Sequence, residues 1–122
     1  MLRKRFLTFI FLCVNTFLFS QVVINEYSAS NFDSHQDNYG EYEDWVELYN
    51  STNSDIDLNG WFLSDKASDP TKWQFPSSYI ITANSVAIIY CSGNDEIVGG
   101  EVWVRHALGG GGDFGRGGII PR

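Results

Sequence analysis

The stretch Asp57-Leu58-Asn59-Gly60-Trp61-Phe62-Leu63-Ser64-Asp65 decides the fold of this 122-residue chain. Its apolar residues form one short run without helical spacing, and polar turn residues flank the run on both sides. Side chains of an extended strand alternate between its two faces, so Trp61 and Leu63 point to one side and Phe62 to the other. This stretch is therefore predicted to be a β-strand with one face turned towards a core.

Similar short runs occur on both sides of this strand. The β-branched and aromatic runs are 22–27, 44–49, 72–75, 79–81, 85–91 and 101–104, and turn signals such as 50–55 separate them. The pattern gives no helical stretch that would connect parallel strands. We therefore predict an all-β protein, an antiparallel β-sandwich or a small barrel.

The apolar positions of these runs give a predicted core. We expect it to contain Ile24, Val46, Leu48, Leu58, Trp61, Leu63 and Ile88. An alternative use of aromatic residues is a surface that binds carbohydrate, formed by Trp45, Trp73 and Trp103. Cys91 lies in an apolar run and is most simply a small buried residue.

The start of the chain has the pattern of an export signal. Three basic residues at positions 3–5 precede the apolar run 6–19, so residues 1–20 are predicted to be a cleaved signal peptide. The run is short for a helix that must cross ~30 Å of hydrocarbon, so we expect no membrane span after cleavage. The predicted location is secreted or at the cell surface.

Composition also changes near position 101. Nine of the twelve glycines lie from Gly99 onward, whereas most acidic residues lie before Val102. We therefore expect a folded domain at 21–101, followed by a Gly-rich tail at 102–122 that is disordered or the product of a shifted reading frame.

The net negative charge of the chain disfavours negatively charged partners. It has 15 acidic and 8 basic residues, and removing the three basic residues at positions 3–5 leaves five basic against fifteen acidic, a net charge of −10. Such a surface repels nucleic acid and anionic lipid. The expected partners are therefore a protein or a surface polysaccharide.

Carboxylates are most concentrated between positions 33 and 44. The weak candidates for a calcium site are Asp33, Asp37, Glu41 and Glu43, because Ca²⁺ prefers oxygen ligands. Their spacing does not match an EF-hand loop, and a solvated acidic loop is the simpler interpretation. We therefore expect no cofactor, with calcium as the alternative.

A second polar group lies inside or at the ends of strands. Asn25, Glu26, Glu47 and Asn50 are predicted to hydrogen-bond turns and to tie neighbouring strands together. An acid–base pair of Glu26 and Glu47, as in glycoside hydrolysis, is the catalytic alternative. No nucleophile elbow or phosphate-binding loop accompanies it, so we predict that the chain is not an enzyme.

Three motifs occur in an order that resembles the lamin tail domain family. They are Ile24-Asn25-Glu26, Asp44-Trp45-Val46-Glu47-Leu48-Tyr49-Asn50 and the 57–65 stretch, and Phe75-Pro76 then precedes the 86–90 strand. The resemblance covers about residues 22–100. It implies an immunoglobulin-like β-sandwich that acts, as in secreted bacterial members, as a non-catalytic interaction or adhesion module.

The chain departs from the family pattern at two places. Ala83-Asn84 stands where the family has Pro-Gly, and the glycine tail stands in place of the closing strands, as if the domain were cut short. A sandwich without those strands would expose an edge. Two alternatives stay open: a targeting or ligand-binding fragment of a larger secreted hydrolase of the nuclease or phosphatase type, and a calcium-stabilised cell-surface structural domain.

Overall fold

The computed structural model describes residues 21–104 and 117–122, which are built of strands and turns. Within these residues there are ten strands: β1 (Val22–Ser28), β2 (Trp45–Asn50), β3 (Ile56–Asp57), β4 (Phe62–Ser64), β5 (Trp73–Gln74), β6 (Ile80–Ile81), β7 (Val86–Tyr90), β8 (Glu96–Val98), β9 (Glu101–Trp103) and β10 (Gly118–Ile120). Among them no helix is long and apolar enough to cross a membrane. The predicted signal peptide at 1–20 and the glycine-rich stretch 105–116 lie outside the described residues.

The strands form three sheets. The largest has the order β1-β2-β7-β9-β8, a second has the order β10-β4-β5, and β3 pairs with β6. Every pairing is antiparallel except that of β7 with β9. A common apolar core joins strands of all three sheets. The prediction of an all-β, immunoglobulin-like sandwich is confirmed.

The parallel pairing of β7 with β9 was not predicted from the sequence pattern. After β7 the chain forms β8 and turns back at Gly99 and Gly100, whose φ angles are 61° and 87°. Two successive positive φ angles are typical of a type I′ hairpin turn, which glycine adopts without strain. The returning strand β9 then lies between β7 and β8, with Ile89 opposite Val102.

The core is formed by residues that face inward from the strands and turns. Of the predicted members, Val46, Leu48, Leu58, Trp61 and Leu63 are buried in it, and Ile24 packs against it half-buried. Ile88 departs from the prediction, because β7 alternates and it is the neighbouring Ile89 that points into the core. Ile88 instead packs on the outer face of the large sheet.

The predicted domain boundary after residue 101 falls inside β9. Val102, Trp103 and Val104 are buried, and β10 pairs with β4 so that Ile119 is buried as well. The close approach of the chain at Gly117 depends on glycine, since a Cβ there would overlap the carbonyl oxygen of Ser64. Parts of the predicted tail at 102–122 therefore belong to the five-stranded and the three-stranded sheets, because Val102, Val104 and Ile119 fill positions in the core.

The pair Ala83-Asn84, which replaces the Pro-Gly of the resembling family, still forms a turn before β7. Asn84 has a φ angle of 54°, a left-handed conformation that asparagine tolerates better than most residues. The Ser85 amide donates to the Thr82 carbonyl at 3.3 Å and closes the turn. The substitution therefore keeps the geometry that a glycine would provide.

Candidate functional site

The connection between β1 and β2, residues 29–44, is the longest link between strands in the first half of the domain and is hereafter called the cover segment. It is attached to a cluster on the outer face of the large sheet. Trp45, Tyr90 and Trp103 form this outer cluster, and Ile88 packs against it. These residues share a face because Trp45 is the register partner of Tyr90, and Tyr90 is the register partner of Trp103.

Each ring of the outer cluster donates a hydrogen bond to the cover segment. The donors and acceptors are Tyr90 Oη to Gln36 O at 3.0 Å, Trp103 Nε1 to Asp37 Oδ2 at 3.2 Å, and Trp45 Nε1 to Ser34 Oγ at 3.3 Å. Buried Tyr and Trp side chains usually need such partners for their polar atoms. The segment is thus held to the sheet at three points by side chains that the sheet itself positions.

Two buried polar residues organise the cover segment from within. Asn31 Nδ2 donates to the carbonyl oxygens of His35 at 2.6 Å and Glu43 at 3.0 Å, and its Oδ1 accepts from the Ser34 amide and hydroxyl. Because the bonds to positions 35 and 43 join its two halves, Asn31 fixes the path of the segment. This residue was not singled out in the sequence, where a single asparagine in a polar loop gives no signal.

Asp37 is the second organiser. Its Oδ1 accepts hydrogen bonds from the amides of Tyr39 and Glu41, both at 2.9 Å, while its Oδ2 accepts from Trp103. The tight turn that follows is completed by Gly40 at a φ angle of 81°. Both carboxylate oxygens of Asp37 are therefore occupied by hydrogen bonds within the protein.

The calcium candidates are not gathered into one cluster. Asp33 and Glu41 are exposed, Glu43 is half-buried, and Asp37 serves the turn described above. Across residues 21–104 and 117–122 no three His, Cys, Asp or Glu side chains are placed to hold a metal ion. Calcium binding stays a prediction from carboxylate density.

Three large aromatic side chains of the cover segment face solvent. Phe32 is 82% exposed, Tyr39 62% and Tyr42 45%. The Tyr39 ring also contacts the buried ring of Trp103, with centroids 5.4 Å apart, and this contact restricts the orientation of the exposed side chain. The sequence does not single out these residues, because aromatic character alone does not distinguish a buried ring from an exposed one.

The tryptophans considered for carbohydrate binding are not available for it. Trp45, Trp73 and Trp103 are all buried, the first and last in the outer cluster and Trp73 in the main core. Each also donates its indole N–H to the protein, Trp73 to Asp95 Oδ1 at 3.0 Å. Among the described residues, the exposed large aromatic side chains are therefore those of the cover segment together with Tyr27 of β1, and not these three rings.

The predicted polar ties occupy different environments. Asn50 is fully buried and bonds the 50–55 turn to the end of β6, whereas Asn25 donates to Glu47 Oε1 at 2.6 Å on the exposed side of the sheet. Glu26 is exposed beside a register irregularity in β1 and is the register partner of Glu47. The two carboxylates are thus neighbours on an open sheet face.

A pocket of about 260 Å³ lies where the two ends of the cover segment meet the sheet. Its lining residues include the aromatic Phe32 and Tyr42, the acidic Glu43 and Asp44, and the buried Cys91. Burial, and then the negative charges of Asp44, Asp65 and Glu43, raise the pKa of the Cys91 thiol to about 12. The pocket is therefore an aromatic and electronegative recess.

The raised pKa predicts that Cys91 is chemically inert in the folded protein. In a full-chain Cys13→Ser variant, about one Cys91 thiol in 10⁴ is ionised at pH 8, and the thiolate is the reactive species. We expect negligible iodoacetamide labelling until urea unfolds the protein. By linkage, the same shift removes stability as the pH rises from about 9 towards 12. Equal labelling rates in the folded and the unfolded states would contradict the prediction.

Comparison with known proteins agrees with this geometry. The model of the Lamin Tail Domain family matches residues 18–115, which is most of the chain and includes β1 to β9. Among curated proteins no match was found. The matched span also contains the three motifs at 24–26, 44–50 and 57–65 and the entire cover segment. The chain therefore belongs to the lamin tail domain family.

Proposed function

We propose that this protein is a non-catalytic interaction module that acts outside the cell and binds its partner through the cover segment. One observation carries the proposal: Phe32, Tyr39 and Tyr42 are exposed on a segment that buried side chains hold in place. The immunoglobulin-like fold of the family is consistent with such a module. The extracellular part of the proposal is supported by the signal-like sequence of residues 1–20.

Exposed aromatic rings on a constrained backbone are well suited to binding. Burying such a ring removes much apolar surface from water, and it immobilises few rotatable bonds. The bonds of Asn31 and Asp37 have already ordered the backbone, so association does not require that ordering again. The cover segment therefore has the properties of a pre-organised contact surface.

One member of the considered acid–base pair has a structural partner, since Glu47 accepts a hydrogen bond from Asn25. Both oxygens of the Asp37 carboxylate, a calcium candidate, also accept hydrogen bonds within the fold, and the raised pKa keeps the Cys91 thiol protonated. These contacts support a binding role over the acid–base alternative.

The proposal is tested with washed cells of the organism that encodes the protein. Fluorescently labelled protein, produced from the full coding sequence, is expected to bind the cell surface saturably. The triple variant Phe32→Ser, Tyr39→Ser, Tyr42→Ser is expected to lose most of that binding while keeping its melting temperature within a few degrees, because surface changes usually alter stability little.

The matched control changes exposed apolar residues elsewhere. Ile80 and Val86 are 56% and 50% exposed and lie on β6 and β7, outside the cover segment. The double variant Ile80→Ser, Val86→Ser should bind as the unchanged protein does. Undiminished binding by the triple variant, or no saturable binding by any form, would refute the proposed function.

A further inference from the structure

We propose that the pocket beneath Phe32 and Tyr42 receives an arginine or lysine side chain from a basic segment of a partner protein. The inference rests on the proposed function, and it adds the chemical class of the partner. It is argued from the walls of the pocket, its charge and its size.

The walls of the pocket provide two kinds of contact for a cation. Two of its lining residues, Phe32 and Tyr42, are aromatic, and a guanidinium or ammonium group is attracted to the face of an aromatic ring. Glu43 and Asp44 line the same pocket and carry the opposite charge. Arginine in particular combines stacking on a ring with hydrogen bonds to a carboxylate.

Among the residues that the structure describes, the charged side chains that line the pocket are both acidic, and none of the lining residues is Lys, Arg or His. The pKa of Cys91 is raised first by burial and then by the negative charges of Asp44, Asp65 and Glu43, which disfavour a further negative charge there. Over positions 21–104 the chain holds fourteen acidic residues and two basic ones, and one of those two, Lys72, is paired with Asp65 at 2.7 Å. Negative partners are therefore repelled from this face, and positive ones are attracted.

The size of the pocket is compatible with one inserted side chain. Its volume is about 260 Å³, just below the range of roughly 300–1,000 Å³ for pockets that hold drug-sized molecules. The exposed Tyr39 lies on the same segment, so residues next to the inserted side chain have further surface to contact. This arrangement fits a basic stretch of polypeptide that places one cation in the pocket.

The test uses a blocked peptide of alternating glycine and arginine as its probe. Binding to the full-chain protein is followed by fluorescence anisotropy at physiological ionic strength, where charges separated by more than about 8 Å are screened. We expect saturable binding, and none for a peptide in which uncharged citrulline replaces arginine. The double variant Glu43→Gln, Asp44→Asn and the single variant Phe32→Ala should each bind at least about tenfold more weakly.

The matched control removes the same charge outside the pocket. Asp33→Asn, Glu41→Gln lies in the same segment but not in the pocket lining, and it should change the affinity less than about twofold. Equal weakening by both double variants would show attraction by net charge alone and would overturn the inference. Binding of a chitosan oligosaccharide without binding of the peptide would overturn it in favour of a cationic polysaccharide.

The two proposals fail in different ways. If the arginine peptide does not bind but cell-surface binding still depends on Phe32, Tyr39 and Tyr42, the pocket inference fails and the proposed function stands. If cell-surface binding does not depend on these rings, the proposed function fails, whatever the peptide does.

Discussion

Replacing Asn50 with alanine is expected to lower the free energy of unfolding by roughly 3–5 kcal/mol, because it leaves several polar groups without hydrogen-bond partners. The Asn50 amide Nδ2 donates to the carbonyl oxygens of Ser54 at 2.8 Å, Ile81 at 3.0 Å and Thr82 at 3.1 Å. Its Oδ1 accepts from the Thr52 amide and hydroxyl. Alanine supplies none of these contacts.

The size of this effect follows from burial. Asn50 has no exposed surface and its bond to the Ile81 carbonyl is buried, so water does not replace that partner unless the turn opens; the bonds to Ser54, Thr82 and Thr52 are part-buried. Each buried polar group left unsatisfied destabilises a protein by about 1–3 kcal/mol. Since small domains are stable by only about 5–15 kcal/mol in total, the variant should unfold at a much lower urea concentration.

A second substitution at the same position separates hydrogen bonding from side-chain volume. Asn50→Asp keeps the shape but turns a donor into a carboxylate that faces three carbonyl oxygens. Burial should raise the pKa of that carboxyl above its unfolded value, so the native state binds the proton more tightly. The stability of the variant relative to the unchanged protein should therefore rise as the pH falls from 7 towards 4.

The control for both variants is Asn59→Ala. Asn59 is exposed in the turn before β4, so its change should stay within about 0.5 kcal/mol. An Asn50→Ala protein with the urea midpoint of the control would show that the tie between the 50–55 turn and β6 contributes nothing.

Asn50 also illustrates what could be predicted from the sequence. A polar residue at the end of an apolar strand, followed by a turn cluster, predicted a structural tie, and the family motif at 44–50 pointed to the same residue. The strand pattern was equally informative for β2 and β4, because period-two alternation directly reports which residues share a face. In β7 the continuous apolar run 85–91 hides the alternation, and Ile88 was expected in the core where the structure has Ile89. The all-β sandwich could therefore be predicted without coordinates.

The end of the chain was harder to predict, for a physical reason. Its glycines suggested low complexity, yet Gly99 and Gly100 form the turn into β9, and Gly117 allows the chain to pass close to Ser64. A prediction from composition treats each glycine only as a residue that increases the conformational entropy of the unfolded chain. Whether a glycine instead permits a turn or a close approach depends on a distant segment, which composition does not contain.

The candidate binding surface was also missing from the sequence prediction. Selecting Phe32, Tyr39 and Tyr42 requires knowing that Trp45, Tyr90 and Trp103 fill the face beneath them and leave these rings outside. The polar residues that fix the surface, Asn31 and Asp37, act through bonds to partners up to 66 positions away. Local patterns do not report such contacts.

Replacing Trp61 with alanine is the second change with a large expected effect. Trp61 packs in the main core, and its backbone joins two turns, since its amide donates to Leu58 O and its carbonyl accepts from the Phe75 amide, both at 2.9 Å. Truncating a buried tryptophan removes apolar contacts and leaves a cavity, which together destabilise by roughly 3–5 kcal/mol. Urea unfolding followed by circular dichroism measures the loss.

The neighbouring residue supplies the matched control. Phe62 lies next to Trp61 but points to the opposite side and is half-buried, outside the core cluster. Phe62→Ala should therefore destabilise by clearly less, because less apolar surface changes its environment. Equal losses in the free energy of unfolding for the two variants would contradict the prediction that Trp61, on the inner face, contributes more to stability than Phe62 on the outer face. A difference of about 2 kcal/mol or more would show that the strand pattern of residues 57–65 also identifies which aromatic side chain stabilises the core between the sheets.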